Sequence, residues 1–377
     1  MESKLLRPEA AYELPKAAVD ALKDPDLRLE LHVISFSHYC TRARWALAAS
    51  GLDYTEVTYL PLAHIAGMAG LMRRFTVASP RTKTASSKSP FATPVLAVYG
   101  GKRQPLFLLQ NSALIARWAA LRAAARGAPP SALLYGPSLE VASAGPNEAG
   151  GGEGEGKLVV SGGDDYYRSV SQLELRLSNG IGIEVRRLAY FHLLPSTLLA
   201  ADMFRRNARG LIGRGLAWLS YLVSRLLLPR LLGINAKTAA RGLQLMLSEF
   251  DYFDGLIAKR EAEVAAAGDG GGASPGPPAK APLPFYLCGS TLSAADVSLA
   301  TLAGPLVELP PCCAAGRYYV PPRAELPAPL RDVVAALTAR PTGQYVVRLW
   351  DAHGIALMAA GTSGGSAAKE SQPTGRL

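Results

Sequence analysis

Leu27, Leu29, Leu31 and Val33 alternate with Arg28, Glu30 and His32, and no other feature narrows the folds open to this chain as far. A repeat of two sends one side-chain set to each face, so the segment is a strand with one buried face. Ser37-His38-Tyr39-Cys40 follows. Then comes Thr41–Ser50, rich in helix formers around Trp45 and Leu47, which Gly51 stops. Tyr54–Leu60 reads as a second strand, and a strand–helix–strand crossover implies parallel pairing. Pro94–Tyr99, a Gly100-Gly101 turn and Leu106–Leu109 read as a hairpin. A helix over about 112–126 sets Leu114, Ile115, Trp118 and Leu121 on one face.

Further along, the period changes from two to 3.6. Leu243, Met246, Leu247, Phe250, Phe253 and Ile257 keep helical spacing, and Leu188, Phe191, Leu194 and Leu198 do so less regularly around Pro195. A mostly helical second domain follows. One helix start is fully signalled: Ser293 can accept from the N–H of Asp296, whose carboxylate reaches back to the Ser293 N–H, with Leu292 and Val297 at the staple positions. Two stretches lack periodic apolar residues, Gly127–Asp165 with its run Gly150–Gly156, and Ala265–Pro284. The expected division is therefore an N-terminal extension (1–26), an α/β domain (27–126), a low-complexity linker (127–165), an all-helical domain (166–355) with a disordered insert (265–284), and a flexible tail (356–377). Ser79–Pro90, with Lys83 and Lys88, reads as a polar loop.

Composition sets limits on function. Hydrophobic residues at 49% are enough for a core, while 37 Gly and 28 Pro against 7% aromatics place the excess in the low-complexity segments. A formal charge of +10 favours anionic ligands or surfaces, but no Lys/Arg block of the nucleic-acid type occurs, so no nucleic-acid partner is expected. Cys40, Cys288, Cys312 and Cys313 form neither a disulfide framework nor a Cys-x-x-Cys or zinc pattern, which suggests a reducing, cytoplasmic setting with organelle targeting left open. His38, His64 and His192 lack metal spacing, and residues 1–26 hold no apolar run of the secretory kind. Leu211–Ile234 is the most apolar stretch. Arg214, Arg225, Pro229 and Arg230 interrupt it, so stable membrane insertion is not expected, and the stretch reads as an amphipathic core helix ahead of a membrane-surface helix.

Three ordered patterns resemble the glutathione transferase superfamily. They are Ser37-His38-Tyr39-Cys40-Thr41-Arg42-Ala43-Arg44-Trp45 after the first strand, Ala92-Thr93-Pro94-Val95 followed by Gln110-Asn111-Ser112-Ala113, and Phe285–Ser290 leading into the Ser293–Asp296 cap. The resemblance implies an α/β thioredoxin-like N-terminal domain and an all-α C-terminal domain, here with low-complexity inserts. It implies glutathione as co-substrate, a small apolar electrophile as partner, and dimerisation that no interface legible in the sequence supports. A glutathione thiol near pKa 8.5–9 is mostly protonated at neutral pH, so a positioned hydroxyl beside a helix N-terminus would favour its thiolate. Ser37 matches the position that does this chemistry, and a plain helix cap is its other reading. Thr93-Pro94 matches the family's cis-proline, against an ordinary strand-initiating proline. Ser112 matches the residue holding the γ-glutamyl carboxylate, with helix capping as the alternative. Asn111 departs from the pattern, standing where an acidic residue pairs with the γ-glutamyl ammonium. Lys83 or Lys88 could meet the glycyl carboxylate, or be a solvated loop lysine. Cys40, three residues into its helix, should face the sheet as a buried thiol of raised pKa. Two other functions stay open: a non-catalytic transferase-like binding or scaffold module, and a Cys40-based glutathione thiol transferase.

Overall fold

The computed structural model describes residues 12–75, 91–129, 132–143, 158–162, 164–208, 210–268, 283–310 and 320–360. Strand β2 (Arg28–Val33) lies parallel to β3 (Thr55–Thr58) and antiparallel to β4 (Val95–Tyr99), which pairs with β5 (Pro105–Gln110) to give the order β3-β2-β4-β5. The alternation at Leu29, Leu31 and Val33 buries these three against α2 (His38–Ala49) and α4 (Ser112–Ala125). Gly51, at φ 65°, takes the left-handed turn that ends α2.

Helix α3 (Ala63–Phe75) falls in a stretch to which the sequence reading assigned no element. Its Met68, Leu71, Met72 and Phe75, at helical spacing, pack on Val95, Ala97, Tyr99 and Leu108. They cover the second face of the sheet.

The linker expected over 127–165 is corrected in part. Strands β6 (Leu139–Ser143) and β7 (Leu158–Gly162) pair with each other, and β7 pairs with β1 (Tyr12–Leu14), as a three-stranded antiparallel sheet. Leu133, Leu134 and Tyr135 are buried, the last two in the main core. The Gly-rich run masked these short apolar segments on either side of it; that run lies outside the described residues. The described part of the N-terminal extension, from Tyr12, is structured too: Trp118 Nε1 donates to the Ala18 carbonyl of α1 (Lys16–Asp20) at 2.9 Å, and Arg122 donates to the carbonyls of Ala21 (2.8 Å) and Asp24 (2.7 Å).

The second domain comprises α5 (Asp165–Asn179), α6 (Ile181–Leu193), α7 (Thr197–Arg205), α8 (Gly210–Leu231), α9 (Ala236–Gly268), α10 (Ala294–Ala303), α11 (Ala328–Thr338) and α12 (Pro341–Leu349). The capping box forms as read: Ser293 N–H donates to Asp296 at 2.9 Å and Asp296 N–H to Ser293 Oγ at 3.4 Å. Asp296 also accepts from Leu287 N–H (2.9 Å) and the Tyr345 hydroxyl (2.7 Å), so one carboxylate ties α12 to the start of α10. Burial pushes its pKa up. The tail expected from residue 356 begins instead as helix α13 (Ile355–Ala360), whose Leu357 and Met358 pack on the core; residues 361–377 lie outside the described part.

Helix α8 corrects a further expectation. It is not a core helix: only Ala217, Tyr221 and Ser224 are buried, and most of its leucines face outward. Counting apolar residues measured how much could be buried, and the buried stripe uses the small and aromatic residues instead.

Candidate functional site

The register of the sheet assembles the site. His32 lies opposite Val95, and Val95 opposite Gln110. The segments that leave β2, enter β4 and leave β5 therefore meet at one end of the sheet. Ser37 follows β2, Thr93-Pro94 precede β4, and Asn111-Ser112 follow β5.

Ser37 is the N-cap residue of α2, at φ −77° and ψ 120°, yet its side chain makes no capping hydrogen bond. Its half-buried hydroxyl thus caps no backbone N–H of its own helix. Cys40, one turn in, is fully buried. The Cys40 thiol lies within hydrogen-bonding reach of the Ser37 and Thr93 side chains and the Ile34 backbone, so Ser37 and Thr93 converge on one point. Burial raises the thiol pKa, and these polar contacts, with Arg44 nearby, only partly offset it. Cys40 is a neutral thiol behind Ser37.

The Thr93–Pro94 peptide bond is cis. Pro94 O accepts from Asn111 N–H at 3.4 Å, which joins two of the three segments directly. Asn111 itself sits at φ 101°, a conformation that L residues rarely adopt, and its side chain caps α4 by accepting from Ala113 N–H at 2.8 Å. Ser112 is buried, and its hydroxyl accepts from Arg42 Nε (2.9 Å) and Nη2 (2.6 Å). Arg42 also donates to Ser178 Oγ at 2.7 Å, tying both domains to the start of α4. No acidic residue occupies the first turn of α2 or α4, so both helix N-termini present uncompensated positive ends. Of the candidate residues, Ser37, Thr93, Pro94, Asn111 and Ser112 share this end of the sheet. Lys88, like Lys83, lies outside the described residues.

The second domain adds residues that local motifs did not flag. His38 Nε2 lies 2.9 Å from the Gly182 carbonyl at the start of α6; burial drives its pKa down to about 3, so the neutral ring donates this bond. Gly182 permits the approach: a Cβ there would lie 2.6 Å from the Tyr39 hydroxyl, which donates to Ser178 O at 3.0 Å. Arg186 and Tyr190, four residues apart on α6, face the same region. Arg186 acts electrostatically on His38, Tyr39 and Tyr190, and has no carboxylate partner among the described residues. Burial raises the Tyr190 pKa, and Cys40 lies within its electrostatic range. Their i, i+4 spacing was visible in the sequence, but the face it would present was not.

Helices α7 and α8 brace the Ser37 loop from outside. Asn207 Oδ1 accepts from Ser35 N–H at 3.0 Å, Phe36 packs on Phe204 with centroids 5.6 Å apart, and Ser220 Oγ donates to Pro61 O at 2.6 Å.

A four-stranded mixed sheet with a cis bond before β4, then a helical domain capped at Ser293–Asp296, is one recognisable architecture. The fold is glutathione transferase-like. No protein-family model matches the chain, and no curated protein does. Solved structures similar to it include an apo glutathione S-transferase III (15% identity, 85% of this chain and 95% of that one, TM-score 0.37). A glutathione S-transferase from Methylobacillus flagellatus KT with glutathione bound matches at 13% identity, over 84% of this chain and 98% of that one, with a TM-score of 0.35. Ure2p in complex with glutathione matches at 11% identity, over 88% and 97%, with a TM-score of 0.37. Likenesses this distant carry no information about activity or substrate.

Proposed function

We propose that the chain is a glutathione-dependent transferase in which Ser37 stabilises the glutathione thiolate for attack on an apolar electrophile held between the domains. The observation carrying this reading is the Ser37 hydroxyl, free of its own helix cap and grouped with the cis Thr93–Pro94 bond and the α4 N-terminus at one sheet end. A serine forms no mixed disulfide, so its contribution is a hydrogen bond to a sulfur that the α2 dipole also favours. The fully buried Cys40, with its raised pKa, argues against thiol–disulfide exchange at that position. The Thr93 backbone is the group available to pair with the cysteinyl amide. Backbone N–H groups at the start of α4 are what remain for the γ-glutamyl carboxylate, because the Ser112 hydroxyl is already held by Arg42.

That last contact also favours a second reading, a non-catalytic binding module. Asn111 supplies no negative charge for the γ-glutamyl ammonium, and Ser112 points inward. Glutathione titration followed by thermal shift separates the two. Stabilisation grows as RT ln(1 + [L]/Kd), so millimolar glutathione on a micromolar site raises stability by about 4 kcal/mol. No shift at ~10 mM glutathione would favour the binding module over the enzyme. With binding established, Ser37→Ala should raise the pKa of bound glutathione, read from thiolate absorbance, and cut conjugation by about 10²–10⁴-fold.

A further inference from the structure

Helix α8 presents an apolar face for which the rest of the described chain supplies no cover. Successive residues advance 100° around a helix, which places Ala217, Tyr221 and Ser224 together on the inward side. They pack on α7, with Tyr221 edge-on to Phe204 at 5.8 Å and its hydroxyl donating to Leu194 O at 3.2 Å. The opposite side carries Leu211 (83% exposed), Ile212 (82%), Leu219 (56%) and Leu226 (62%), with Leu216 and Leu222 beside them. Leu198 of α7, 86% exposed, is also turned outward. Such a continuous outward face is unusual for a soluble surface, where exposed aliphatic residues are normally scattered.

Charge selects the occupant. Helix α8 contains no Asp or Glu, but carries Arg214, Arg225 and Arg230. No carboxylate pairs with any of the three among the described residues; Arg225 donates only to Thr197 Oγ1 (2.8 Å) and the Tyr221 hydroxyl (3.1 Å), and Arg230 to Leu226 O (2.7 Å). Around the helix, Arg214 and Arg225 fall close together at one margin of the apolar face, while Arg230, next to the last residue of α8, falls in line with Ile212 and closes the face at its C-terminal end. Exposed Trp218 shares that margin. An aliphatic face bordered by arginines and an indole is the arrangement that lies flat in a bilayer interface, apolar side down and guanidinium groups at the lipid phosphates. A second copy of the chain is a poorer occupant, since face-to-face contact would bring together two acid-free helices of three arginines each. Spanning is also disfavoured: the inward stripe is engaged with α7, and Ser220 is bonded to Pro61 of the first domain.

We infer that the outer face of α8 is a docking surface for an anionic lipid bilayer, which it binds peripherally. This surface does not depend on the glutathione chemistry.

The test is co-sedimentation of the full chain with vesicles of phosphatidylcholine alone and of equal parts phosphatidylcholine and phosphatidylserine. Binding to the mixed vesicles, weak binding to the neutral ones, and partial release by salt are expected. The double variant Leu219→Glu/Leu226→Glu should lower binding at least about tenfold. Arg214→Ala should lower it about fivefold. Both should keep the wild-type circular dichroism and Tm, because the altered side chains face outward. Binding to neither vesicle, or equally to both, overturns the inference. So does a concentration-dependent dimer that Leu219→Glu/Leu226→Glu dissolves, which would seat a second copy on the face. Resistance to carbonate extraction would mean that the helix spans and would likewise overturn it.

Discussion

Every residue of α4 from Ser112 to Ala123 is buried, whereas α8 buries only Ala217, Tyr221 and Ser224. Both helices are largely apolar, neither contains an acidic residue, and both carry arginines. The difference lies in what surrounds them. Arg117 of α4 meets Glu174 of α5 at 2.5 Å, and Arg122 meets three carbonyls of the N-terminal extension. Tyr135, from the segment after α4, donates to the other Glu174 oxygen at 2.8 Å. A guanidinium can be buried only where acceptors are built around it, since an uncompensated buried charge costs several kcal/mol. Other parts of the chain supply those acceptors to α4. Among the described residues the arginines of α8 receive no carboxylate, and they stay exposed together with the leucines between them.

The largest expected effect falls on that contrast directly. Glu174→Ala would leave Arg117 without its carboxylate at a site about 1% exposed, and should cost about 3–5 kcal/mol in chemical denaturation. A loss below about 1 kcal/mol would show that α4 does not need its acceptor. Acid should act on the same seam through His38. Its folded pKa, about 3, lies below the unfolded value of 6.5, so the unfolded chain takes up the proton first. The contribution of the neutral ring is therefore complete above about pH 6.5 and is lost as pH falls towards 3, at up to about 1.4 kcal/mol per pH unit. His38→Gln should flatten stability measured across that window. Cys40→Ala should cost about 1 kcal/mol while conjugation is largely kept, since the thiol fills space behind Ser37. Loss of activity without loss of fold would return the chemistry to the cysteine. On the exposed side of the comparison, Leu219→Ser and Leu226→Ser should each move Tm-derived stability by no more than about 0.5 kcal/mol. A larger loss would mean that α8 is covered in solution.

Those differences also explain what was legible in the residues. Leu29, Leu31 and Val33 announced β2 because a period of two has no other use in so short a run. Ser293 and Asp296 announced the start of α10 because a cap is complete within four residues. The grouping of Ser37, Thr93, Pro94, Asn111 and Ser112 came through the superfamily resemblance, and the sheet register gives its physical basis. Arg186, Tyr190 and Gly182 were not legible, because their meaning depends on how α6 docks on α2. Helix α3 went unassigned although Met68, Leu71, Met72 and Phe75 keep helical spacing, since Gly67 and Gly70 weaken the helical signal. The outward face of α8 failed for the opposite reason: periodicity shows that a helix has apolar faces, not which one finds a partner.

The small sheet β1-β7-β6 has a consequence for the order in which the molecule can be built. Tyr12 pairs with Val160, so the whole first domain lies in the chain between one strand and its neighbour. At about 5–20 residues per second, β1 leaves the ribosome roughly 7–30 s before its partner exists. During synthesis the β3-β2-β4-β5 sheet can form early, from contacts that are mostly local to residues 28–110. The pairing of Tyr12–Leu14 with β7 waits until the chain has passed Gly162. A ribosome paused before that point would display a domain complete in its main sheet, with Ala18–Asp24 already held by α4 but Tyr12–Leu14 still unpaired.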